Sequence, residues 1–345
     1  MPSALFQFGG PALALADRRG DLGETLRERL AATVEAMERE FAPMSPPMRD
    51  LVRHVERYRG KMLRPTLVHL AAMAAGECTP DHDKAAAVVE TIHLATLVHD
   101  DVLDDAEIRR RGQTINALRG NEAAVILGDY LIASAFHLCS SIEDQGVALR
   151  VGEVTKTLCE GELLQLHHRN DFDLGEDAYY RIIERKTASL IELAAELGAR
   201  LAGADDRACS ALAGYGRWLG IAFQVRDDVL DLMGDQPVVG KDLGKDLDKG
   251  KVTLPVILHL RGADEAERIR TLALLDDLAH GRTHDRGAMQ SVLRDSGAIE
   301  AAQAAAEECL EKARACLGAL PESLAESPAR GLLDDLADEA LRRDR

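Results

Sequence analysis

From Ala85 the chain reads Ala85-Ala86-Ala87-Val88-Val89-Glu90-Thr91-Ile92-His93-Leu94-Ala95-Thr96-Leu97-Val98-His99-Asp100-Asp101-Val102-Leu103-Asp104-Asp105. About 15 residues of small or aliphatic surface, roughly 22 Å at the helical rise, run into a cluster of carboxylates. No proline interrupts the chain between Pro80 and Pro237, good helix formers fill that interval, and no alternation of period two is sustained anywhere. Aromatic residues make up only 3 %, and the apolar 46 % is mostly Ala, Leu, Val and Ile. That composition favours close-packed helices over a sandwich or barrel.

The same periodicity predicts helices over 21–41, 48–58, 62–76, 82–105, 120–142, 146–168, 176–202, 206–234, 252–261, 263–279, 285–295, 297–317 and 328–343. Breaks fall at Pro46-Pro47, Gly76 to Pro80, Gly112 to Gly120, Asp171 to Gly175, Gly203 to Asp205 and Gly234 to Gly250. No low-complexity linker and no solenoid period divides the chain. We expect one all-α domain over 21–345, a helical bundle, preceded by a flexible extension over 1–20.

The carboxylate cluster occurs twice. His99-Asp100-Asp101-Val102-Leu103-Asp104-Asp105 is answered by Gln224-Val225-Arg226-Asp227-Asp228-Val229-Leu230-Asp231. Both are Asp-Asp-x-x-Asp, 127 positions apart. On a helix, positions i and i+4 share a face and i+1 lies at its edge, so each copy stacks carboxylates in one patch. A solvated acidic face is the alternative for one copy alone. Two copies, each following an apolar helix (the second after Trp218-Leu219-Gly220-Ile221-Ala222-Phe223), argue for a hard, oxygen-ligated divalent ion such as Mg2+.

Basic residues cluster beside both copies: Lys61 and Arg64 before the first, Arg109-Arg110-Arg111 after it, Lys186-Thr187 between them, and Lys241 and Lys251 after the second. Carboxylates with Lys and Arg in one cavity are reconciled by a bridging anion, and Mg2+ is typically shared between a few carboxylates and phosphates. Gly234 to Lys241 imitates a phosphate loop, but its glycines are five residues apart, no Ser or Thr follows Lys241, and no strand precedes it. An apolar wall below a metal-diphosphate head fits an amphiphile with a hydrocarbon tail. A packed core explains the same apolar stripes.

Net charge is −17, which disfavours nucleic acid and anionic lipid as partners. The six cysteines form no C-x-x-C pair and no zinc spacing, and most of them read as small core residues in a reducing, cytoplasmic setting. Residues 1–20 lack the pattern of a secretory signal, and no uninterrupted run of about 18 apolar residues suggests a membrane span.

In these motifs the chain resembles the trans-isoprenyl diphosphate synthases (polyprenyl synthetases), over about residues 20–340. The matching segments are, in order, Gly60-Lys61-x-x-Arg64-Pro65, His93, the first aspartate motif with Arg109-Arg110, Gly161-Glu162-x-x-Gln165, Lys186-Thr187-Ala188, Phe223-Gln224-x-x-Asp227-Asp228-x-x-Asp231, and Lys241 through Pro255. Met62, Arg111 and Thr114 depart from the family's usual residues without removing a ligand.

The resemblance implies an all-α bundle around a central cavity, working as a homodimer, without a membrane span but with transient membrane contact at product release. It implies that Asp100 and Asp104 hold two Mg2+ ions on an allylic diphosphate with Asp101 in support. Asp227 holds a third ion, with Asp228 and Asp231 in support. Arg109, Lys186, Lys241 and Lys251 bind the allylic diphosphate, and Lys61, Arg64, His93 and Arg110 bind isopentenyl diphosphate. Dipoles of Lys186, Thr187 and Gln224 stabilise an allylic cation.

Chain length is read from the tail's path along the 82–105 helix. Short-chain members block the level of positions 95 and 96 with aromatic rings, and here Ala95 and Thr96 are small. Phe136, seven residues beyond Asp129 or roughly 10 Å along the next helix, is the expected floor, with products of roughly C30 to C50. Three other readings compete: a C15–C20 synthase, a terpene cyclase, which lacks an isopentenyl diphosphate site, and a non-catalytic subunit of a heteromeric synthase, a class that tends to lose its aspartates. The C-terminal Arg342, Arg343 and Arg345 read either as a tail that closes over the isopentenyl site or as a solvated helix end.

Overall fold

The computed structural model describes residues 20–42, 45–58, 60, 62–109, 112–233, 244–325 and 327–341. Lys61, Arg110, Lys241, Arg342, Arg343 and Arg345, the 1–20 extension apart from Gly20 and the false phosphate loop lie outside the described residues. The chain divides into two compact units. The first comprises 1–155, 190–216 and 314–339, and the second 156–189, 217–313 and 340–345.

The first unit opens with α1 (Gly20–Phe41), α2 (Pro46–Val55) continued by a 3-10 turn to Tyr58, α3 (Leu63–Ala75) and α4 (Pro80–Leu103). α4 packs against α1, α3 and α6 (Asn121–Cys139). Its alanines and valines let three neighbours approach at once, so Ala85, Ala86, Ala87, Val88 and Val89 are fully buried. Pro80 stands at its N-terminus, where the missing N–H costs nothing. The N–H of Thr79 donates to His82 Nδ1 at 2.9 Å, so Nε2 carries the ring's proton and donates to the Gly198 carbonyl at 3.1 Å. Beyond α4, Ile108–Arg109 and Gly112–Gln113 pair as an antiparallel ladder, and α5 (Ile115–Arg119) follows. The sequence pattern predicts loop over both. Thr114, one of the departures from the family's pattern, caps α5 by accepting from the N–H of Ala117.

α6 is the one described helix long and apolar enough to cross a membrane by length and composition, although Glu122 and Asp129 interrupt it. Its buried residues, among them Leu127 and Leu131, belong to the same core as Leu94 and Val98 of α4. The expected 176–202 helix is present but interrupted: α8 (Glu176–Ile183) passes through a π-helical turn, Glu184–Ala188, into α9 (Ser189–Leu201). α7 (Gln145–His167) and α10 (Asp206–Met233) lie close to their expected ranges. After the 245–248 turn come α11 (Leu254–Gly262), α12 (Glu265–Ala279), α13 (Arg286–Asp295), α14 (Ala298–Gly318) and α15 (Pro328–Leu341), with a short turn at 322–325.

Two sequence expectations need correction. Of the six unpaired cysteines only Cys139 and Cys309 are buried, and Cys159 is exposed. Trp218, expected on an apolar wall, is half-buried, with Lys312 Nζ 4.8 Å from its ring centroid.

Candidate active site

Each aspartate motif ends a long helix. Asp100 and Asp101 lie in the last turn of α4, with Asp104 just beyond it, and Asp227, Asp228 and Asp231 close α10. Neither last turn contains a basic residue. Carboxylates at the negative end of a helix dipole are unfavourable by about 0.3–1 kcal/mol each, a cost that a cation relieves.

The three carboxylates of a motif are not equivalent. Asp100 and Asp104 are partly exposed, whereas Asp101 is 1 % exposed. Arg109 holds Asp101 Oδ1 through Nε and Nη2, each at 2.8 Å. Burial raises the Asp101 pKa, and Arg109 and the nearby Tyr58 hydroxyl oppose that rise. Tyr58 OH also accepts the N–H of Ile115 at 3.1 Å, and Asn116 Nδ2 donates to the carbonyls of Asp101 and Ala106. His93 and Arg64, in the same unit, are partly exposed.

The second motif repeats this division. Asp227 and Asp231 are partly exposed and Asp228 is 5 % exposed. Tyr179 OH donates to Asp228 Oδ2 at 2.6 Å, and Gln224 Nε2 donates to Oδ1 at 2.8 Å. Burial lifts the Asp228 carboxyl to about 8, the negative charges of Asp246 and Asp227 add to this, and the two hydrogen bonds oppose it. Thr187 Oγ1 donates to Gln224 Oε1 at 2.8 Å. Asp231 Oδ2 accepts the N–H of Asp246 at 3.2 Å.

Lys186 and Thr187 lie on the π-helical turn, a distortion often found at functional sites. α7 comes close to that turn because Gly161 has no side chain: a Cβ there would lie 2.5 Å from the Lys186 nitrogen. One turn along α7, Gln165 Oε1 accepts from Lys186 Nζ at 2.7 Å, and Glu162 pairs with the same ammonium at 2.5 Å. Lys251 follows Gly250, whose φ of +63° and closeness to Asn170 exclude a side chain. Gln165, Lys186, Thr187, Gln224, Asp228 and Lys251 line one cavity of about 110 Å³.

Ala95 is fully buried in the core with Met37, Phe41 and Leu127, while Thr96 is partly exposed and donates to the His93 carbonyl. Phe136 is half-buried on α6, facing Gly152 of α7. Tyr58, Asn116 and Tyr179 belong to no motif that sequence reasoning picks out. Tyr179 and Asp228 are 49 positions apart, and such a pairing leaves no periodic trace.

Among the described residues no three His, Cys, Asp or Glu side chains converge as a ready metal cage. The donor set is nonetheless all oxygen, and Asp101 Oδ2 is buried without a hydrogen-bond partner. An ion that completes its shell with substrate oxygens and water suits such a set, as Mg2+ commonly does.

A helical fold with carboxylate triads closing two long helices, and lysines beside the second, is suited to phosphorylated ligands. A profile of the polyprenyl synthetase family matches residues 45–294. The chain is 40 % identical over 288 residues to the octaprenyl diphosphate synthase of Escherichia coli K12, spanning 83 % of this chain and 87 % of that protein. The crystal structure of a decaprenyl diphosphate synthase from Rhodobacter capsulatus superposes with a TM-score of 0.86 at 36 % identity, covering 96 % of this chain and 99 % of that one. A polyprenyl synthase from Caulobacter crescentus CB15, complexed with calcium and isoprenyl diphosphate, gives 0.86 at 33 % identity, covering 96 % and 98 %. The chain belongs to the polyprenyl synthetase family, as a trans-prenyltransferase of the long-chain type.

Proposed function

We propose that this enzyme condenses isopentenyl diphosphate with an allylic prenyl diphosphate in successive 1′-4 trans additions, with Mg2+, to give products of roughly C30 to C50. The observation that carries the reading is the shared division within the two motifs. In each, the second aspartate is buried and pinned, while the first and fifth positions stand at the helix surface. Asp100 and Asp104 would hold two Mg2+ ions and Asp227 a third, with Asp231 in outer support and the buried Asp101 and Asp228 behind them.

Bound Mg2+ neutralises charge on the departing diphosphate. Arg109, Lys186, Lys241 and Lys251 grip the allylic diphosphate, and Lys61, Arg64, His93 and Arg110 hold isopentenyl diphosphate. As the allylic C–O bond breaks, its electron pair leaves with the diphosphate, and the lysines take up the developing charge. The Lys186 carbonyl, Thr187 Oγ1 and Gln224 Oε1 present partial negative charge to the allylic cation. The double bond of isopentenyl diphosphate attacks that cation, and the released diphosphate removes the proton that restores an alkene. Holding both substrates in contact supplies much of the rate.

A cytoplasmic homodimer with transient membrane contact at product release completes the reading. Val125 and Ile126 on α6 and Leu149 on α7 are exposed apolar residues suited to a subunit contact.

The test is diphosphate release on mixing both substrates with and without Mg2+, followed by chromatography of the products. Mg2+-dependent release with chains longer than C20 is the expected outcome. Absence of release overturns the reaction, and a stop at C15 or C20 overturns the chain length.

A further inference from the structure

Tyr179 is a buried residue outside the two aspartate motifs. It lies on α8, 3 % exposed, with its hydroxyl 2.6 Å from Asp228 Oδ2. The other oxygen of Asp228 takes the Gln224 amide nitrogen at 2.8 Å, one helical turn away. Both Asp228 oxygens act as acceptors, one from the Tyr179 hydroxyl and the other from Gln224 Nε2. Gln224 therefore presents its NH2 to Asp228, and its oxygen is left for Thr187, whose hydroxyl donates to it at 2.8 Å. Three hydrogen bonds thus run from Tyr179 through Asp228 and Gln224 to Thr187, and Asp228 sets the direction of the amide. A freely turning amide would spend part of its time presenting N–H to a developing cation, which is the wrong sign of dipole.

We propose that Tyr179 is a positioning residue, which by holding Asp228 fixes the Gln224 amide with its oxygen on the Thr187 side. This rests on the reading that Thr187 and Gln224 stabilise the allylic cation. Asp228 is then a strut between two helices, while Asp227 and Asp231 of the same motif remain at the surface.

Tyr179→Phe removes the hydroxyl and leaves the ring. We expect kcat to fall about tenfold, with KM for both diphosphates and the Mg2+ concentration for half-maximal activity within about twofold of wild type. Binding supplies a readout independent of turnover. An allylic diphosphate analogue with an ammonium centre at the reacting carbon is compared with its neutral isostere. Tyr179→Phe lowers the cationic-to-neutral affinity ratio about tenfold and leaves the neutral analogue's affinity unchanged. Because both analogues carry the same diphosphate, the ratio cancels the metal contribution.

Should Tyr179→Phe fold poorly, Asp228→Asn applies the same test from the other end, since an asparagine accepts either orientation of Gln224. Adding Tyr179→Phe to Asp228→Asn is expected to lower the ratio no further. An unchanged ratio in Tyr179→Phe or in Asp228→Asn, or a further loss in the double variant, overturns the role assigned to Tyr179. Thr187→Val and Gln224→Leu test the underlying reading: if neither changes the ratio, the cation assignment itself fails.

Discussion

Replacing Asp100 or Asp227 by alanine removes one carboxylate from a patch of like charges near a helix end. Each variant is expected to lose nearly all turnover while its thermal midpoint stays level or rises, because the native apo protein loses repulsion along with the ligand. Near-normal turnover in either purified variant refutes the metal assignment. Asp101→Ala should behave differently, since it strands the Arg109 guanidinium that Asp101 holds in a largely buried position. The two diphosphate sites separate in the same way. Arg64→Ala is expected to raise KM for isopentenyl diphosphate, and Lys251→Ala to raise it for the allylic substrate, each by about 1.5–3 kcal/mol of lost charged contact. Equal effects on both substrates in both variants contradict that division.

Gly161 shows how one helix sets the chemistry on another. Gly161→Ala would drive a methyl into the backbone at Lys186, and the π-helical turn has to move. We expect weaker allylic diphosphate binding together with a lower thermal midpoint. A variant with wild-type kinetics would show that the close approach of α7 has no functional weight. Product length depends on α4. Thr96→Phe is the cleaner probe there, because Thr96 is partly exposed, whereas a ring at the fully buried Ala95 overpacks the core by about 1–3 kcal/mol. Thr96→Phe should shorten the products toward C15–C20, and unchanged chromatograms would remove this level from the tail's path. Long helices such as α10 are legible in the sequence because apolar side chains recur at the helical period over many turns. α5 and the two-residue strands Ile108–Arg109 and Gly112–Gln113 are too short to show a period. The π-helical turn is hidden for another reason: one extra residue in a turn leaves composition and propensity unchanged. The aspartates announce themselves by repetition, whereas the tyrosines behind them are visible only once the chain is folded.

Stability of the whole chain couples to pH through buried polar groups that belong to neither aspartate motif. His69 is fully buried, with Thr33 Oγ1 2.8 Å from Nε2 and Cys78 Sγ 3.3 Å from Nδ1. Burial lowers its pKa to about 3, with the neighbouring His82 and Arg29 adding to the effect. Between that value and the ordinary 6.5, the unfolded chain binds a proton that the folded chain refuses. The stability contributed by neutral His69 is therefore complete above pH 6.5 and is lost as pH falls toward 3. Asp83 acts in the opposite sense, since burial raises its carboxyl to about 6 and favours the protonated folded state below that pH. A difference measurement isolates the histidine. The stability gap between wild type and His69→Gln should narrow as pH drops from about 7 to about 5, and a constant gap would count against a neutral buried ring.

The π-helical turn also affects how this chain can be altered. Residues 176–201 form two helical segments whose phases are set by one surplus residue between them. Deleting one residue from Glu184 to Ala188 would regularise the helix and leave the side-chain phase beyond it unchanged, whereas a deletion within Ser189–Leu201 would rotate the rest of that helix by about 100° and shift it about 1.5 Å. The irregularity thus acts as a splice between two reading frames of side chains. Single-residue deletions there should cost less stability than deletions elsewhere in 176–201, a bias that a deep mutational scan of protein abundance would register over five positions.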